Sequence, residues 1–239
     1  MSQFLRRAFN TAYSEDPTNY SVEYEPQGDL QSLISGAAMQ GGGIVRLGPQ
    51  EYIVNSSMTL ESNVVLVGVP GKTKLIKRPS SKKTTAGDFS EGELGPAITV
   101  EGNARIVDCY IDVALPAGHG FTRDTDVLVT TSDTGGTATG RADDNAVVVL
   151  NGERARMEGC YIPAGARRAV VVKTDGCIVL GNEIEDDTGK NNACVYINDS
   201  IKDTLVVGNW CRSTTNGSIS YQASTAQVVS GNLASVVAR

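Results

Sequence analysis

The sequence predicts an all-β fold, a right-handed parallel β-helix: a solenoid of about 23–24 residues per coil with a short N-terminal capping helix. The main observation is a repeat of strand, polar corner and strand, which begins at Ala97, Ala146, Ala169, Ala193 and Gly217. The last four starts lie 23 or 24 residues apart, about one coil of such a fold. The composition agrees, because 40% hydrophobic residues, 26 glycines and 5% aromatics suit a β protein with many turns.

Four columns appear when the repeats are aligned on their second strand. Two apolar columns, five positions apart, predict side chains that stack inside the coils. They are Ile106, Met157, Val179, Val206 and Val229, and then Ile111, Ile162, Ile184, Cys211 and Ala234. Between them lie Asp108, Gly159, Gly181, Gly208 and Gly231, followed by Cys109, Cys160, Asn182, Asn209 and Asn232. Glycine and asparagine tolerate positive φ, and stacked asparagines can hydrogen-bond between coils, so these columns predict a repeated tight corner.

Two segments before the repeat have their own patterns. Residues 28–40 place Leu30, Leu33, Ile34 and Ala37 at helical spacing after an N-cap Asp29, which predicts a short amphipathic helix over the open end of the solenoid. Residues 41–69 and 73–77 read as short strands separated by Gly, Pro, Ser and Asn, which predicts one or two less regular first coils.

The predicted domain organisation is an N-terminal arm, residues 1–27, and one β-helix domain, residues 28–239. The domain has polar insertions at 78–95 and 113–145, and we interpret the second as a protruding loop rather than a degenerate coil. The arm lacks the repeat, so attachment to another protein and simple disorder both stay open.

Bulk properties exclude several classes of partner. A formal charge of −6 argues against sequence-independent binding to the phosphate backbone of nucleic acid. There is no apolar run of roughly 18–20 residues and no signal-peptide pattern at the start, so we expect cytoplasmic synthesis and no membrane insertion. The five cysteines form no CxxC pair and His119 is the single histidine, which predicts no metal site and no cofactor. Cys109 and Cys160 could stack closely, but buried free thiols are favoured over a disulfide.

Three motifs resemble a known superfamily. A helix is followed by GGGIVRLGPQEY (41–52) and NVVLVGV (63–69), and later coils contain sequences such as VLGNEI (179–184). These motifs resemble the pectate-lyase-like β-helix superfamily, which includes bacteriophage tailspikes, and the likeness runs from about Gly28 to Arg239. The motifs are structural and are shared by lyases, hydrolases, epimerases and non-enzymatic spikes, so they leave activity open. The resemblance implies side-by-side homotrimers.

The candidate binding residues are Tyr110, Tyr161 and Trp210, outward positions that form an aromatic stripe along one side of the solenoid. Aromatic faces stack on sugar rings or bury against another subunit. The strands Ala146 to Leu150 and Ala169 to Val172 are apolar on both faces and need a cover outside the coil. Loops or the tail could supply it, but only seven residues follow Asn232, so a second subunit is favoured.

The candidate catalytic residues are weaker. Asp143 and Asp144 precede one strand, and Asp186 and Asp187 precede another, so the pairs could face the same side and serve glycoside cleavage. A calcium-assisted lyase would add a base such as Arg167 or Arg168. Solvated loop residues are the favoured interpretation. His119 has no acidic or hydroxyl companion at a recognisable spacing.

The functional expectation is a virion component of a phage or phage-like particle: a tail spike, fibre or surface decoration. It would be a homotrimer made in the host cytoplasm, attached to other virion proteins through the arm, and in contact with host surface polysaccharide. Whether it is an enzyme stays open, with a non-catalytic role favoured. The alternatives are a polysaccharide lyase or glycoside hydrolase on the same fold, and a purely architectural virion protein.

Overall fold

The fold consists mostly of short parallel strands. The computed structural model of the chain describes residues 21–23, 29–78, 96–113, 146–163, 169–186, 194–198, 201–213, 219–221, 227–233 and 236–238. Within these ranges the chain forms 21 strands and one α-helix, α1 (Leu30–Met39). The strands belong to three sheets, and the pairings between strands in the described ranges are parallel.

The first sheet contains, in spatial order, β1 (Ser21–Glu23), β2 (Gly43–Arg46), β5 (Val64–Val67), β8 (Arg105–Val107), β11 (Arg156–Glu158), β14 (Ile178–Leu180), β17 (Thr204–Val207) and β20 (Gln227–Ser230). The second contains β3 (Glu51–Val54), β6 (Lys74–Lys77), β9 (Tyr110–Val113), β12 (Tyr161–Ile162), β15 (Glu183–Asp186) and β18 (Trp210–Ser213). The third contains β4 (Met58–Leu60), β7 (Ile98–Val100), β10 (Val148–Leu150), β13 (Val170–Val172), β16 (Val195–Ile197), β19 (Ile219–Tyr221) and β21 (Val236–Ala238).

The chain visits the three sheets in rotation. From β2 to β19, each run of three strands adds one strand to each sheet, beside the strand contributed three elements earlier. The repeat starting at Ala97 therefore pairs directly with the repeat starting at Ala146, through β7–β10, β8–β11 and β9–β12. Parallel pairing with this rotation is consistent with the predicted β-helix.

The predicted apolar columns are core columns. In the first sheet Ile106 pairs with Met157, Met157 with Val179, and Val179 with Val206. These four side chains are completely buried, and Val229 packs against the same cluster as a partly buried residue. In the second column Ile111, Ile162, Ile184 and Cys211 are buried, whereas Ala234 lies outside the described residues. Both columns are confirmed over the residues described.

The predicted corner is also confirmed, and it contains a continuous hydrogen-bond ladder. Asp108, Gly159, Gly181, Gly208 and Gly231 all have φ between 56° and 65°. The next column forms the ladder: Cys160 N donates to Asn182 Oδ1 at 2.9 Å, Asn182 Nδ2 to Asn209 Oδ1 at 2.9 Å, and Asn209 Nδ2 to Asn232 Oδ1 at 2.9 Å. Asn182 and Asn209 are buried, so the ladder satisfies polar groups that water does not reach.

Helix α1 packs against β2, β4 and β5 at the first repeat. It begins after Asp29, whose side chain accepts a hydrogen bond from Gln31 N at 3.1 Å. Gln31 also reaches the edge strand of the third sheet, where its amide accepts from Thr59 N at 2.9 Å and donates to Thr59 O at 3.0 Å. The side-chain amide of Gln31 thus makes the two hydrogen bonds with Thr59 that a neighbouring strand would otherwise make. The helix is confirmed, with one difference: Leu33 is only half-buried, because the stripe facing the sheets is Leu30, Ile34 and Ala37.

The segment 1–27 contributes a strand that the sequence pattern did not indicate. Ser21–Glu23 pairs in parallel with β2, so the first sheet begins before the helix. This strand is too short to carry a recognisable alternation. The other residues of the segment lie outside the described ranges.

The five cysteines are free thiols, and all are buried. Burial raises the pKa of Cys160 and of Cys177 to about 12 and raises the pKa of Cys109 as well. The absence of a Cys109–Cys160 disulfide agrees with the prediction from sequence. An apolar environment disfavours the thiolate, so Cys109, Cys160 and Cys177 are poor nucleophiles in the folded protein.

We expect the thiols to resist a thiol reagent such as DTNB in the native protein and to react fully after unfolding in guanidinium chloride. Stability should also depend on alkaline pH. The pKa of a thiol is near 9.0 in the unfolded chain, whereas burial raises the pKa of Cys160 and Cys177 to about 12 in the folded protein. The contribution of these two thiols to the free energy of unfolding is therefore fully present below pH 9.0 and is lost as the pH rises from 9.0 towards 12. Urea midpoints across that range should fall less in a Cys160→Ala/Cys177→Ala double variant. Rapid labelling of the native protein would contradict the buried assignment.

Candidate functional site

The outer face of the second sheet carries one residue per strand in a single register column. Glu51 pairs with Lys74, Lys74 with Tyr110, Tyr110 with Tyr161, Tyr161 with Glu183, and Glu183 with Trp210. Trp210 continues to Leu233 through an isolated parallel bridge. We call this column the outer stripe: Glu51, Lys74, Tyr110, Tyr161, Glu183, Trp210 and Leu233. Because side chains alternate along a strand, the stripe lies opposite the buried column of Ile111, Ile162 and Ile184.

The aromatic residues of the outer stripe are accessible in the single chain. The rings of Tyr110 and Tyr161 lie with their centroids 5.3 Å apart at an interplanar angle of 46°, and both residues are half-buried. Trp210 is 43% exposed and Leu233 is 73% exposed. Tyr110 and Trp210 are three strands apart, about 14 Å at ~4.8 Å per strand. The structure therefore places the three predicted aromatic residues along one face.

Lys74 and Glu51 lie at one end of the outer stripe. Lys74 Nζ lies 3.0 Å from Glu51 Oε1 and 5.8 Å from the centroid of the Tyr110 ring. The ammonium group contacts both a carboxylate and an aromatic face, and both side chains of the ion pair remain substantially exposed. A pair this exposed adds little stability, so its main effect is local charge balance.

Carboxylates border the two tyrosines. Tyr110 Oη lies 3.5 Å from Asp112 Oδ2, and the Tyr161 hydroxyl is hydrogen-bonded to Glu185. Arg212 Nη1 lies 4.0 Å from Glu185 Oε1. Sequence reasoning missed Asp112, although its position two residues after Tyr110 on one strand was a usable signal, because such residues share a face.

The pKa of Tyr161 is raised above its usual value of 10.0. Desolvation is the largest cause, followed by the negative charges of Glu185 and Glu183 and by the hydrogen bond to Glu185. The phenol therefore stays protonated at neutral pH, where it is a hydrogen-bond donor. The arrangement offers ring faces for stacking together with carboxylate acceptors for hydroxyl groups.

Three of the four predicted catalytic carboxylates lie outside the residues that the structure describes. Asp143, Asp144 and Asp187 lie outside the described residues, as do Arg167, Arg168 and His119. Asp186 is the last residue of β15, but its side chain lies outside the described part of the chain. The catalytic role of these residues stays a prediction.

The outward valines of the third sheet need no partner subunit to cover them. Val149 and Val171 are 3% and 0% exposed and pack with Ala146 and Tyr196 in a cluster separate from the main core. We expected a second subunit to cover these strands, and that expectation was wrong. Their burial is complete within one chain, so they offer no apolar surface to a neighbour.

The outer face of the first sheet changes character along its length. Near β8 and β11 it carries a buried ion pair, Arg105–Glu158, and burial raises the pKa of Glu158 against the opposing effect of Arg105. Towards β20 five outward positions are apolar and partly or largely accessible: Ile178, Leu180, Leu205, Val207 and Val228. We call these five residues the apolar strip. Val228 is 54% exposed, so the strip is open to solvent at that end.

The described ranges contain neither a metal-binding cluster nor a helix that could span a membrane. No group of three or more His, Cys, Asp or Glu side chains there lies close enough to hold a metal ion. No helix in the same ranges has the length and hydrophobicity needed to cross a membrane.

The fold and the outer stripe define a parallel β protein with an aromatic and acidic face, and comparisons with known proteins add no family. No family model matches the chain, and no curated protein matches it. Among solved structures, the chain is similar to a protein of Parabacteroides merdae ATCC 43184 assigned provisionally to the glycosyl hydrolases, with a TM-score of 0.45, 14% identity, and coverage of 86% of this chain and 87% of that one.

A second similar structure is a mutant tailspike protein of the E. coli bacteriophage HK620 in complex with a pentasaccharide. It has a TM-score of 0.31 and 13% identity, and the alignment covers 92% of this chain and 49% of the tailspike chain. The chain thus spans about half the length of that tailspike. At these TM-scores neither likeness bears on function.

Proposed function

We propose that this chain is a structural, glycan-binding component of a phage or phage-like particle, such as a tail spike, fibre or surface decoration. In this proposal the three sheets are the faces of a right-handed parallel β-helix of the pectate-lyase-like superfamily. The outer stripe binds cell-surface polysaccharide, and synthesis takes place in the host cytoplasm. The place in a particle is supported by the resemblance of residues 41–69 and of the later repeats to a superfamily that includes bacteriophage tailspikes, together with the N-terminal arm.

The observation that carries the binding proposal is the tilted pair of Tyr110 and Tyr161 with carboxylates beside both hydroxyls. Sugar rings present apolar C–H faces and hydroxyl edges, so they bind where aromatic faces and hydrogen-bond acceptors adjoin. Trp210 adds a third aromatic surface further along the same face. An extended face of this kind suits a linear polymer better than a small enclosed ligand.

The test is affinity electrophoresis in native gels that contain purified bacterial O-antigens and capsular polysaccharides. We expect at least one polysaccharide to retard the protein, and we expect Tyr161→Ala and Trp210→Ala each to weaken that binding by about tenfold, equivalent to the loss of ~1.4 kcal/mol of stacking. Both side chains point outward, so circular dichroism should show an unchanged fold. Met39→Ala, which truncates an 88% exposed residue on α1, is the matched control and should bind like the parent.

Two results would contradict this proposal. The first is no retardation by any polysaccharide of the panel, which would favour a purely architectural role. The second is retardation that neither aromatic variant weakens, which would place binding elsewhere. Release of reducing ends from a bound polysaccharide would instead favour a lyase or hydrolase, and loss of that release in Asp144→Asn and Asp187→Asn would assign the carboxylates.

We infer that the protein is a homotrimer whose subunits meet along the apolar strip. The apolar strip exposes five apolar side chains on one sheet face. Exposed apolar patches of this kind are commonly buried by contact with another subunit. Light scattering at micromolar concentration should give three times the chain mass of 25.2 kDa. A Leu205→Glu/Val228→Glu variant should be monomeric, because association would bury unpaired charge. Lys202→Glu, an exposed change in a neighbouring corner, should stay trimeric, and a monomeric parent protein would contradict the inference.

A further inference from the structure

The charges around the outer stripe are unevenly balanced. Lys74 is matched by Glu51 at 3.0 Å, and Arg212 is matched by Glu185 at 4.0 Å. Glu183 is exposed between Tyr161 and Trp210, and the described residues place no salt bridge on it. Among the described residues, Lys74 of the stripe and the nearby Arg212 therefore already have carboxylate partners, while Glu183 adds negative charge at the centre of the aromatic face.

The effect of this charge is visible at the Tyr161 hydroxyl. After desolvation, the causes that raise the Tyr161 pKa are the charges of Glu185 and Glu183 on β15, the hydrogen bond to Glu185, and the charge of Asp112 on β9. These three carboxylates act together on one point of the face. A ligand group seated over Tyr161 meets the same negative potential.

We propose that the outer stripe selects neutral glycans and discriminates against carboxylated ones, with Glu183 and Glu185 as the residues that determine this specificity. The inference rests on the proposed glycan-binding function and adds the chemical class of the ligand. Neutral sugars donate hydroxyl hydrogen bonds to the carboxylates, whereas the carboxylate of a uronic acid would be held near like charge. Two carboxylates about 5 Å from a ligand anion, in water, weaken binding by roughly tenfold at low salt.

The experiment compares matched polysaccharides by affinity electrophoresis at low salt. The probes are neutral O-antigens, O-antigens rich in uronic acids, dextran, and the carboxymethylated form of each neutral polymer. We expect aromatic-dependent retardation by a neutral polymer and about tenfold weaker retardation by its carboxymethylated form. Added salt should reduce the difference, because it screens the repulsion.

Charge-neutral variants separate the local effect from the overall charge of −6. Glu183→Gln/Glu185→Gln should bring the ratio of carboxymethylated to neutral binding towards one. The control Glu153→Gln/Asp203→Asn removes the same charge from exposed positions in the corner between the third and first sheets. It should leave the ratio at the parent value. Gln and Asn keep the size of the replaced side chains and one acceptor oxygen, and the exchanged side chains are not in the core, so folding should be unaffected.

The outcomes distinguish a failure of the neutral-glycan specificity from a failure of the proposed glycan binding. Binding that depends on Tyr161 and Trp210 but is as strong for carboxymethylated or uronic-acid polymers would overturn the specificity and leave glycan binding intact. An equal change of the ratio in the control variant would overturn the assignment to Glu183 and Glu185. If the parent protein shows no polysaccharide binding that depends on Tyr161 and Trp210, both proposals would be overturned.

Discussion

Gly152→Ala is expected to lower the free energy of unfolding by about 3 kcal/mol or more, one of the largest effects of any single change in the chain. A β-carbon at residue 152 would overlap the Gly102 nitrogen and the Glu101 carbonyl carbon. These are backbone atoms of the neighbouring repeat, so no side-chain rotation can relieve the clash. The repeats would have to separate, which would strain the hydrogen bond from Asn103 N to Glu153 O at 2.9 Å.

The matched control for this prediction is Gly36→Ala. Gly36 lies inside helix α1, and a β-carbon there would meet nothing within 4 Å. Removing a helix glycine should raise the free energy of unfolding by about 0.5–1 kcal/mol. Urea unfolding followed by far-UV circular dichroism measures both variants. A Gly152→Ala protein as stable as the parent would show that the two repeats can move apart at little cost.

Asn209→Ala should cost about 3 kcal/mol, because it breaks the asparagine ladder near its centre. Asn209 Oδ1 accepts from both the backbone and the side chain of Asn182, and its Nδ2 donates to Val179 O, Val207 O and Asn232 Oδ1. Asn209 is 1% exposed, so water cannot replace these partners. Several buried polar groups would lose hydrogen bonds at once.

The position of Asn209 in the ladder supplies the controls. Asn232→Ala removes the last member of the ladder, which is only partly buried, and should cost less than Asn209→Ala. Asn151→Ala removes an exposed asparagine that bonds Glu101 at 3.1 Å, and it should change stability by less than ~0.5 kcal/mol. Equal losses in Asn209→Ala and Asn151→Ala, measured by urea unfolding, would contradict a structural role for the ladder.

The repeat made much of the fold predictable. A parallel stack places equivalent residues of successive repeats beside each other, so alignment of the sequence with itself predicts register. That is why Ile106, Met157 and Val179 were assigned to one buried column and are found paired there. The corner column was predictable for the same reason, since positive φ favours glycine, which occupies this position in four of the five repeats; Asp108 shows that aspartate can occupy it too.

The candidate site was only partly predictable. The outward positions of Tyr110, Tyr161 and Trp210 followed from alternation along a strand. Their charged surroundings did not, because Asp112 and Glu185 act on Tyr161 from neighbouring strands. Apart from Asp186, which ends β15, the carboxylates singled out in the sequence lie in segments without a repeat, where no periodicity relates one residue to another. Asp143 and Asp144 therefore remain hypotheses.

The sequence by itself determined the parallel pairing of successive repeats, the inward columns and the corner, because each of these depends on a period that self-alignment detects. Only the tertiary structure decided which outward surfaces are already covered. Val149 and Val171 are apolar and outward yet buried within one chain, while Val228 is apolar, outward and 54% exposed. Lys77 likewise is fully buried at the end of a strand, where its Nζ donates to Ser57 Oγ at 3.1 Å. Alternation shows which face a side chain is on, but burial depends on what other parts of the chain pack against that face.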